Sequence, residues 1–280
     1  MDDFNAYAPT WCPGCGDWAI GVALKQALTG LGYSPSSVNM VFDIGCSGNM
    51  NDFINAYAVH GLHGRSIPVA IGMKLANHKM PVLVVGGDGG IYGEGGNHFI
   101  HACRGNHDIT VIVHDNEVYG LTTGQAAPTS SKGMKTKSTP TGLIESSLNP
   151  LAIAITQGAT YVANTFTGDI KGVVEIIKQG ISHKGFSLIN ILQPCISFNK
   201  FNTYQYFNEH SYKLDEKHNK ADFNSALIKA MEMSTEKYPL GVLYQVEKPA
   251  YHEQLTQLVA GALIENKRYE NFGGLIKEFF

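Results

Sequence analysis

The chain has 280 residues, enough for one large α/β domain or two smaller ones with a full core. Hydrophobic residues make up 44% and the formal net charge is −3, which gives a nucleic-acid partner no electrostatic footing, so none is expected. Charged residues are only 16%, against roughly 25% in a typical soluble domain, so part of the surface is expected to be hidden against a partner.

The start, Met1-Asp2-Asp3, is acidic and lacks the basic and apolar regions of a signal peptide. Lys74, Gly86 and Asp88 interrupt the best apolar runs before they reach the roughly 18 residues of a membrane span. No membrane partner and a cytoplasmic location are the expectation. Five cysteines, an odd number in a chain neither small nor visibly secreted, argue against a disulfide framework.

The first element follows Thr10-Trp11-Cys12-Pro13-Gly14-Cys15-Gly16. Apolar residues at Ile20, Ala23, Leu24, Ala27, Leu28 and Leu31 predict a helix over 17–31, with Asp17 as its N-cap. Cys15 would then lie at a helix N-terminus, where the partial positive charge favours a thiolate. Residues 38–42 read as a strand, followed by Asp43-Ile44-Gly45-Cys46-Ser47-Gly48. His60 and His63 have a spacing that suits one face of a helix, and loop histidines fit as well. Arg65 could pair with a phosphate or with an acidic side chain.

Residues 81–85 (PVLVV) read as a buried parallel strand leading into Gly86-Gly87-Asp88-Gly89-Gly90. A helix is predicted over 96–104, with Glu94 as a first-turn residue and Cys103 as a buried small hydrophobe on its apolar face. Residues 109–113 form the next strand and end at His114-Asp115-Asn116. A helix over 150–157, a strand over 160–163, a helix over 169–183 and a strand over 186–192 complete the alternation, which closes on Gln193-Pro194-Cys195. Strands alternating with helices predict an α/β fold with a mostly parallel sheet and helices on both faces. Aromatic residues crowd 198–212, and 222–236 reads as one amphipathic helix. The chain is therefore divided into a domain over 1–200 and a C-terminal extension over 201–280, packed on that domain or on a partner subunit.

Cys46, Asp88, Asn116 and Cys195 each fall just beyond the carboxyl end of a predicted strand, the edge at which open parallel sheets bind ligands. Gly87-Asp88-Gly89 and Asn116, 28 residues after Asp88, have the logic of a diphosphate and Mg²⁺ site. Glycines let backbone N–H groups approach phosphate oxygens. Asp88, Asn116 and a nearby carbonyl such as that of Val118 supply hard oxygen ligands. The cysteines admit three readings: a disulfide, a zinc site or an iron–sulfur cluster. Four thiolates suit [4Fe–4S]. Structural zinc more often pairs two C-x₂-C knuckles, and this chain has one.

WCPGCG, IGCSG, HGLHGR, GDGG, NEVYGLTTGQ and LQPC, in this order between residues 8 and 204, resemble the β subunit of the 2-oxoacid:ferredoxin oxidoreductases. The resemblance implies a thiamine diphosphate-binding fold carrying thiamine diphosphate, Mg²⁺ and a [4Fe–4S] cluster. It implies the cluster on Cys12, Cys15, Cys46 and Cys195, and Mg²⁺ on Asp88, Asn116 and the Val118 carbonyl. Ile44, Gly45, Cys46, Ser47, His63, Gly89, Gly90, Gly120 and Leu121 would line the cofactor. The activity implied is oxidative decarboxylation of a 2-oxoacid, pyruvate or 2-oxoglutarate, to acyl-CoA and CO₂, with electrons passed through the cluster to ferredoxin. The glutamate that activates the cofactor would come from an α subunit, since no glutamate here sits in such a context. Two departures stand out: Asp115-Asn116 replaces the paired asparagines common in the family, and residues 49–56 hold no basic residue where many relatives have one. Two other readings stay open, a cluster-free thiamine diphosphate-dependent decarboxylase subunit and a non-enzymatic iron–sulfur electron-transfer module.

Overall fold

The computed structural model describes residues 2–235, 237–265 and 272–277. Strands β1 (Asn39–Phe42), β2 (Tyr57–His60), β3 (Val82–Gly87), β4 (Thr110–Asp115), β7 (Tyr161–Phe166), β8 (Ser187–Leu192), β9 (Ser211–Lys213) and β10 (Tyr238–Gln245) form one eight-stranded sheet. Its order is β2-β1-β3-β4-β8-β7-β10-β9. Every pairing is parallel except that of β10 with β7. A separate hairpin joins β5 (Val118–Tyr119) to β6 (Gln125–Ala126).

Helices α1 (Asp17–Gly30) and α5 (Ile170–Ser182) cover one face of the sheet, and α2 (Ser66–Ala76), α3 (Gly96–Gly105), α4 (Pro150–Thr156) and α7 (Phe223–Met231) cover the other. The strands explain why both faces need cover. Val41, Val82, Val84, Val111 and Val113 point into one core, while Met40, Phe42, Leu83, Val85 and Ile112 point into the other. Alternation along each strand places successive side chains on opposite faces, so an unbroken apolar run means burial on both. Ile20, Leu24 and Leu28 of α1 are fully buried, each contributing about 1.5–3 kcal/mol through the area it removes from water.

The predicted helices and strands up to residue 192 appear within a few residues of their expected ends. Several elements had no sequence signal. Strand β2 (YAVH) is exposed along its whole length, and an edge strand without alternation leaves no period to detect. Strand β10 contains Pro239 and Gly241, residues that argue against a strand, and it is tolerated near the sheet edge. The helix expected over 222–236 is α-helical over Phe223–Met231, capped by Asp222, and tightens into a 3₁₀ turn over Glu232–Thr235. Glu236 lies outside the described residues. Helix α6 (Tyr204–His210), β9 and β10 carry the chain after residue 200 back onto the sheet, where β10 pairs with β7. Among the described residues no helix is long and apolar enough to cross a membrane.

Candidate active site

The four central strands β1, β3, β4 and β8 are neighbours, and the loops that leave their carboxyl ends converge. Cys46 follows β1, Asp88 follows β3, Asn116 follows β4 and Cys195 follows β8. The N-terminal loop is tied to the same edge by two bonds: Trp11 Nε1 donates to the Cys46 carbonyl at 2.7 Å, and the Gly16 amide donates to the Pro194 carbonyl at 3.3 Å. Gly16 must be glycine for this approach, since a Cβ there would stand 2.7 Å from Gln193 Cγ. Cys12, Cys15, Cys46 and Cys195 thereby line one cavity of about 230 Å³, together with Asp17, Asn116, Gly120 and Leu121. Among the described residues no three His, Cys, Asp or Glu side chains gather tightly enough to grip a single ion. A four-iron cluster is broader than one ion, so its ligands stand around a cavity instead of at a point, and soft thiolates are the donors it takes. The cysteines fit that group. Cys103 is fully buried in the core, away from the other four.

Two of the four thiols, those of Cys15 and Cys46, are held in the protonated form by the chain itself. Burial, aided by the Asp17 carboxylate, pushes Cys15 well above the usual thiol range, and burial pushes Cys46 up to about 12. This corrects the expectation of a thiolate at a helix N-terminus: Asp17 is not the N-cap but the first helical residue, Gly16 being the cap. Its buried carboxylate accepts from Cys15 Sγ at 3.3 Å and lies 2.6 Å from His114 Nδ1.

A second cavity, of about 80 Å³, adjoins the first. Its walls include Ile44, Gly45, Cys46, Ser47, His63, Asp88, Gly89, Gly90, Asn116, Val118, Gly120 and Leu121. Cys46, Asn116, Gly120 and Leu121 belong to both walls. A Cβ on Gly120 would stand 3.6 Å from Cys195 Sγ and 3.7 Å from Cys46 Sγ, so the main chain at residue 120 is the partition between the two spaces. Gly89 and Gly90 open a turn of π-helix over Gly89–Glu94 directly after Asp88. A Cβ at Gly89 would lie 2.2 Å from the Tyr119 ring, and one at Gly90 would lie 2.4 Å from Asp43 Oδ1. Two buried polar atoms of the wall residues, Ser47 Oγ and His114 Nε2, have no hydrogen-bond partner among the described residues. Unpaired buried groups beside a glycine-lined cavity fit a polar, phosphate-bearing ligand.

Asp88 is buried, accepts from Thr129 Oγ1 at 2.5 Å, and is pushed well above the carboxylate range by burial and by Asp115. Asn116 Oδ1 accepts from the Val118 amide at 3.0 Å and keeps a second lone pair, while its Nδ2 donates to Gln193 Oε1 at 3.1 Å. A carboxylate held at high pKa by burial and a neighbouring acid is ionised by a bound divalent cation, so the oxygen set fits Mg²⁺.

Other positions depart from expectation. His60 closes strand β2 and His63 lies in the loop before α2, so the two share no helical face. Arg65 Nη1 donates to the carbonyls of Gly64 and Glu94. Glu94 ends the π-helical turn instead of opening α3, and its carboxylate accepts from Tyr119 Oη at 3.1 and 3.2 Å. Sequence reasoning missed Asp43, His114, Gln193 and Tyr119. Asp43, directly before IGCSG at a strand end, carried the same positional signal as Cys46.

An α/β sheet with this glycine-lined edge defines a thiamine diphosphate-binding domain, and residues 43–191 match the family model described as "Thiamine pyrophosphate enzyme, C-terminal TPP binding domain". Residues 195–260 match a second model, that of the C-terminal part of the pyruvate ferredoxin oxidoreductase beta subunit. The chain belongs to the β subunits of the 2-oxoacid:ferredoxin oxidoreductases. It is 46% identical to the 2-oxoacid:ferredoxin oxidoreductase subunit beta of Saccharolobus solfataricus over 87% of this chain and 84% of that one. It is 36% identical to the 2-oxoglutarate synthase subunit KorB of Methanocaldococcus jannaschii over 89% of this chain and 92% of that one. Its fold matches a chain of the 2-oxoglutarate:ferredoxin oxidoreductase from Magnetococcus marinus, solved with 2-oxoglutarate, coenzyme A and succinyl-CoA bound. The TM-score is 0.92 at 35% identity, covering 99% of this chain and 94% of that one.

Proposed function

We propose that this chain is the electron-transferring half of an enzyme that oxidises a 2-oxoacid, pyruvate or 2-oxoglutarate, to acyl-CoA and CO₂ and reduces ferredoxin. In this reading Cys12, Cys15, Cys46 and Cys195 hold a [4Fe–4S] cluster, and Asp88, Asn116 and the Val118 carbonyl hold Mg²⁺. Thiamine diphosphate held there would supply the electron sink for breaking the bond to the carboxylate, and a cluster held by the four cysteines would supply a one-electron acceptor. An α subunit supplies the activating glutamate and closes the site, and the extension after residue 200 packs on the domain and on that subunit. The compartment is the cytoplasm.

The observation that carries the reading is the shared wall. Gly120 separates a cavity lined by four cysteines from one lined by Asp88, Asn116 and the glycine turn. Its missing side chain keeps the partition one main-chain thick, the arrangement that electron transfer between two bound groups requires. The chain's own residues hold the groups apart and bury the polar walls, with Val118 itself buried at the cavity.

The test is anaerobic reconstitution with the α subunit and comparison of 2-oxoacids with ferredoxin as acceptor. A brown complex that reduces ferredoxin is expected. Cys12→Ala or Cys15→Ala should abolish ferredoxin reduction while thiamine diphosphate still binds. A variant that kept full ferredoxin reduction would overturn the cluster assignment, and a colourless complex that decarboxylates without reducing ferredoxin would return the chain to the cluster-free decarboxylase reading.

A further inference from the structure

His63 is flanked by two carboxylates, one toward each ring nitrogen. Asp43, which follows β1 directly, is fully buried. Its Oδ1 accepts from the Ile44 amide at 2.8 Å, both oxygens accept from the Gly64 amide at 3.1 and 3.0 Å, and Oδ2 accepts from Ser66 Oγ at 2.7 Å. The same Oδ1 lies 2.9 Å from His63 Nδ1. An oxygen already accepting from main-chain N–H groups is the acceptor toward the ring as well, so Nδ1 carries the proton.

The other nitrogen is left open. His63 Nε2 lies 3.6 Å from Glu94 Oε2, beyond hydrogen-bond distance. The Tyr119 hydroxyl donates to both Glu94 oxygens and so turns that carboxylate toward itself. The ring lies against the cofactor turn only because residue 90 is glycine: a Cβ there would stand 2.4 Å from Asp43 Oδ1 and 3.3 Å from His63 Cε1.

We propose that Asp43 is a positioning residue that holds His63 in the Nδ1–H form, leaving a lone pair on Nε2 as the proton acceptor offered at the mouth of the cofactor cavity. The proposal rests on reading that cavity as the thiamine diphosphate site. The proton that Nε2 takes comes from a donor group of the bound cofactor or substrate, while Asp43 keeps the Nδ1 proton and steadies the cation that forms.

The direct test is ¹⁵N NMR of the full chain labelled at histidine nitrogen, with the His63 signals assigned by their loss in His63→Gln. The Nδ1–H tautomer is expected, and an Nε2–H tautomer overturns the proposal without any Asp43 variant. In Asp43→Asn the amide oxygen stays toward the Ile44 and Gly64 amides and still accepts from Nδ1, so the Nδ1–H tautomer is kept and only the charge is lost. In Asp43→Ala no acceptor faces Nδ1 and the Nε2–H form should appear, and an unchanged tautomer there also overturns the proposal. In the reconstituted complex Asp43→Ala should lower kcat about 100-fold, the contribution of one proton-transfer group. The KM for thiamine diphosphate should stay within about threefold, with cluster absorbance unchanged. Ser66→Ala, which removes another donor to the same carboxylate, should keep both tautomer and kcat; an unaltered kcat in Asp43→Ala overturns the proposal. A wild-type complex inactive on every 2-oxoacid overturns the family-level activity alone, and the tautomer still decides the role of Asp43.

Discussion

Asp115, Asp88 and Glu117 bring three buried carboxylates together behind the cofactor turn. Burial is the main cause that pushes all three up, Asp115 to about 6. Asp115 accepts from Asn190 through Oδ2, and its Oδ1 is buried without a partner. Glu117 sits at φ 56, a left-handed conformation that side chains seldom adopt outside functional sites. The sign of the pH effect follows from the proton count. Between about pH 4 and pH 6 the unfolded chain has released the Asp115 proton and the folded chain has not, so stability falls as pH rises through that window and stays lower above it. The metal-free chain should lose unfolding free energy over this range in chemical denaturation. Asp115→Asn should make the fall shallower, with Asp88 and Glu117 still contributing to it, and add up to about 3 kcal/mol at pH 7, the equivalent of the difference between 3.8 and about 6. A variant less stable than the wild type at pH 7 would show that the ionised carboxylate is a net stabiliser.

At the scale of elements, the site depends on turns that bring main chain within contact distance of side chains. The π-helical turn over Gly89–Glu94 is one. Gly90→Ala would drive a methyl into Asp43 Oδ1, and relieving that overlap costs about 1–3 kcal/mol of packing strain. The expected outcome is a lower unfolding midpoint together with weaker thiamine diphosphate binding in the assembled complex, both measurable by calorimetry. Normal affinity in a destabilised variant would separate the turn's packing role from its binding role. The loop at Gly64 is constrained in the same way. It has φ +68, and a Cβ would meet the Glu94 main chain at 2.5 Å, so residues 64 and 94 hold the two sides of the cavity mouth together.

Across the whole molecule, the cofactor cavity of about 80 Å³ is far smaller than the roughly 300–1,000 Å³ of a pocket that encloses a whole ligand. In the proposed reading it would take only a fraction of the cofactor, such as its diphosphate and metal. Leu121, 47% exposed, lines it, and Leu62, next to His63 in the chain, is 77% exposed; both leave apolar surface for another chain to cover. The isolated chain should therefore bind thiamine diphosphate weakly and oxidise no 2-oxoacid, and addition of the α subunit should restore both. Steady coenzyme A-dependent oxidation by the single chain would contradict this.

The sheet up to β8 was legible because unbroken apolar runs such as VLVV and the helical spacing of Ile20, Leu24 and Leu28 are local, periodic signals of burial. The proposed ligand positions were legible for a related reason. Cys46, Asp88, Asn116 and Cys195 stand directly after such runs, and parallel strands bring their carboxyl ends to one edge. Neighbour relations were not legible. That Asp17 faces His114 across 97 residues of sequence, or that Asp43 faces His63, depends on which strands lie side by side. Likewise β10, whose Pro239 and Gly241 argue against a strand, exists because β7 offers it an unpaired edge. Short apolar runs and ordered motifs were enough to specify the sheet, its ligand edge and the family, because each of these is written into contiguous residues. The two adjoining cavities, the raised thiols of Cys15 and Cys46 and the carboxylate–imidazole pairs emerge only in the folded molecule, because burial and proximity belong to chain segments that meet on folding.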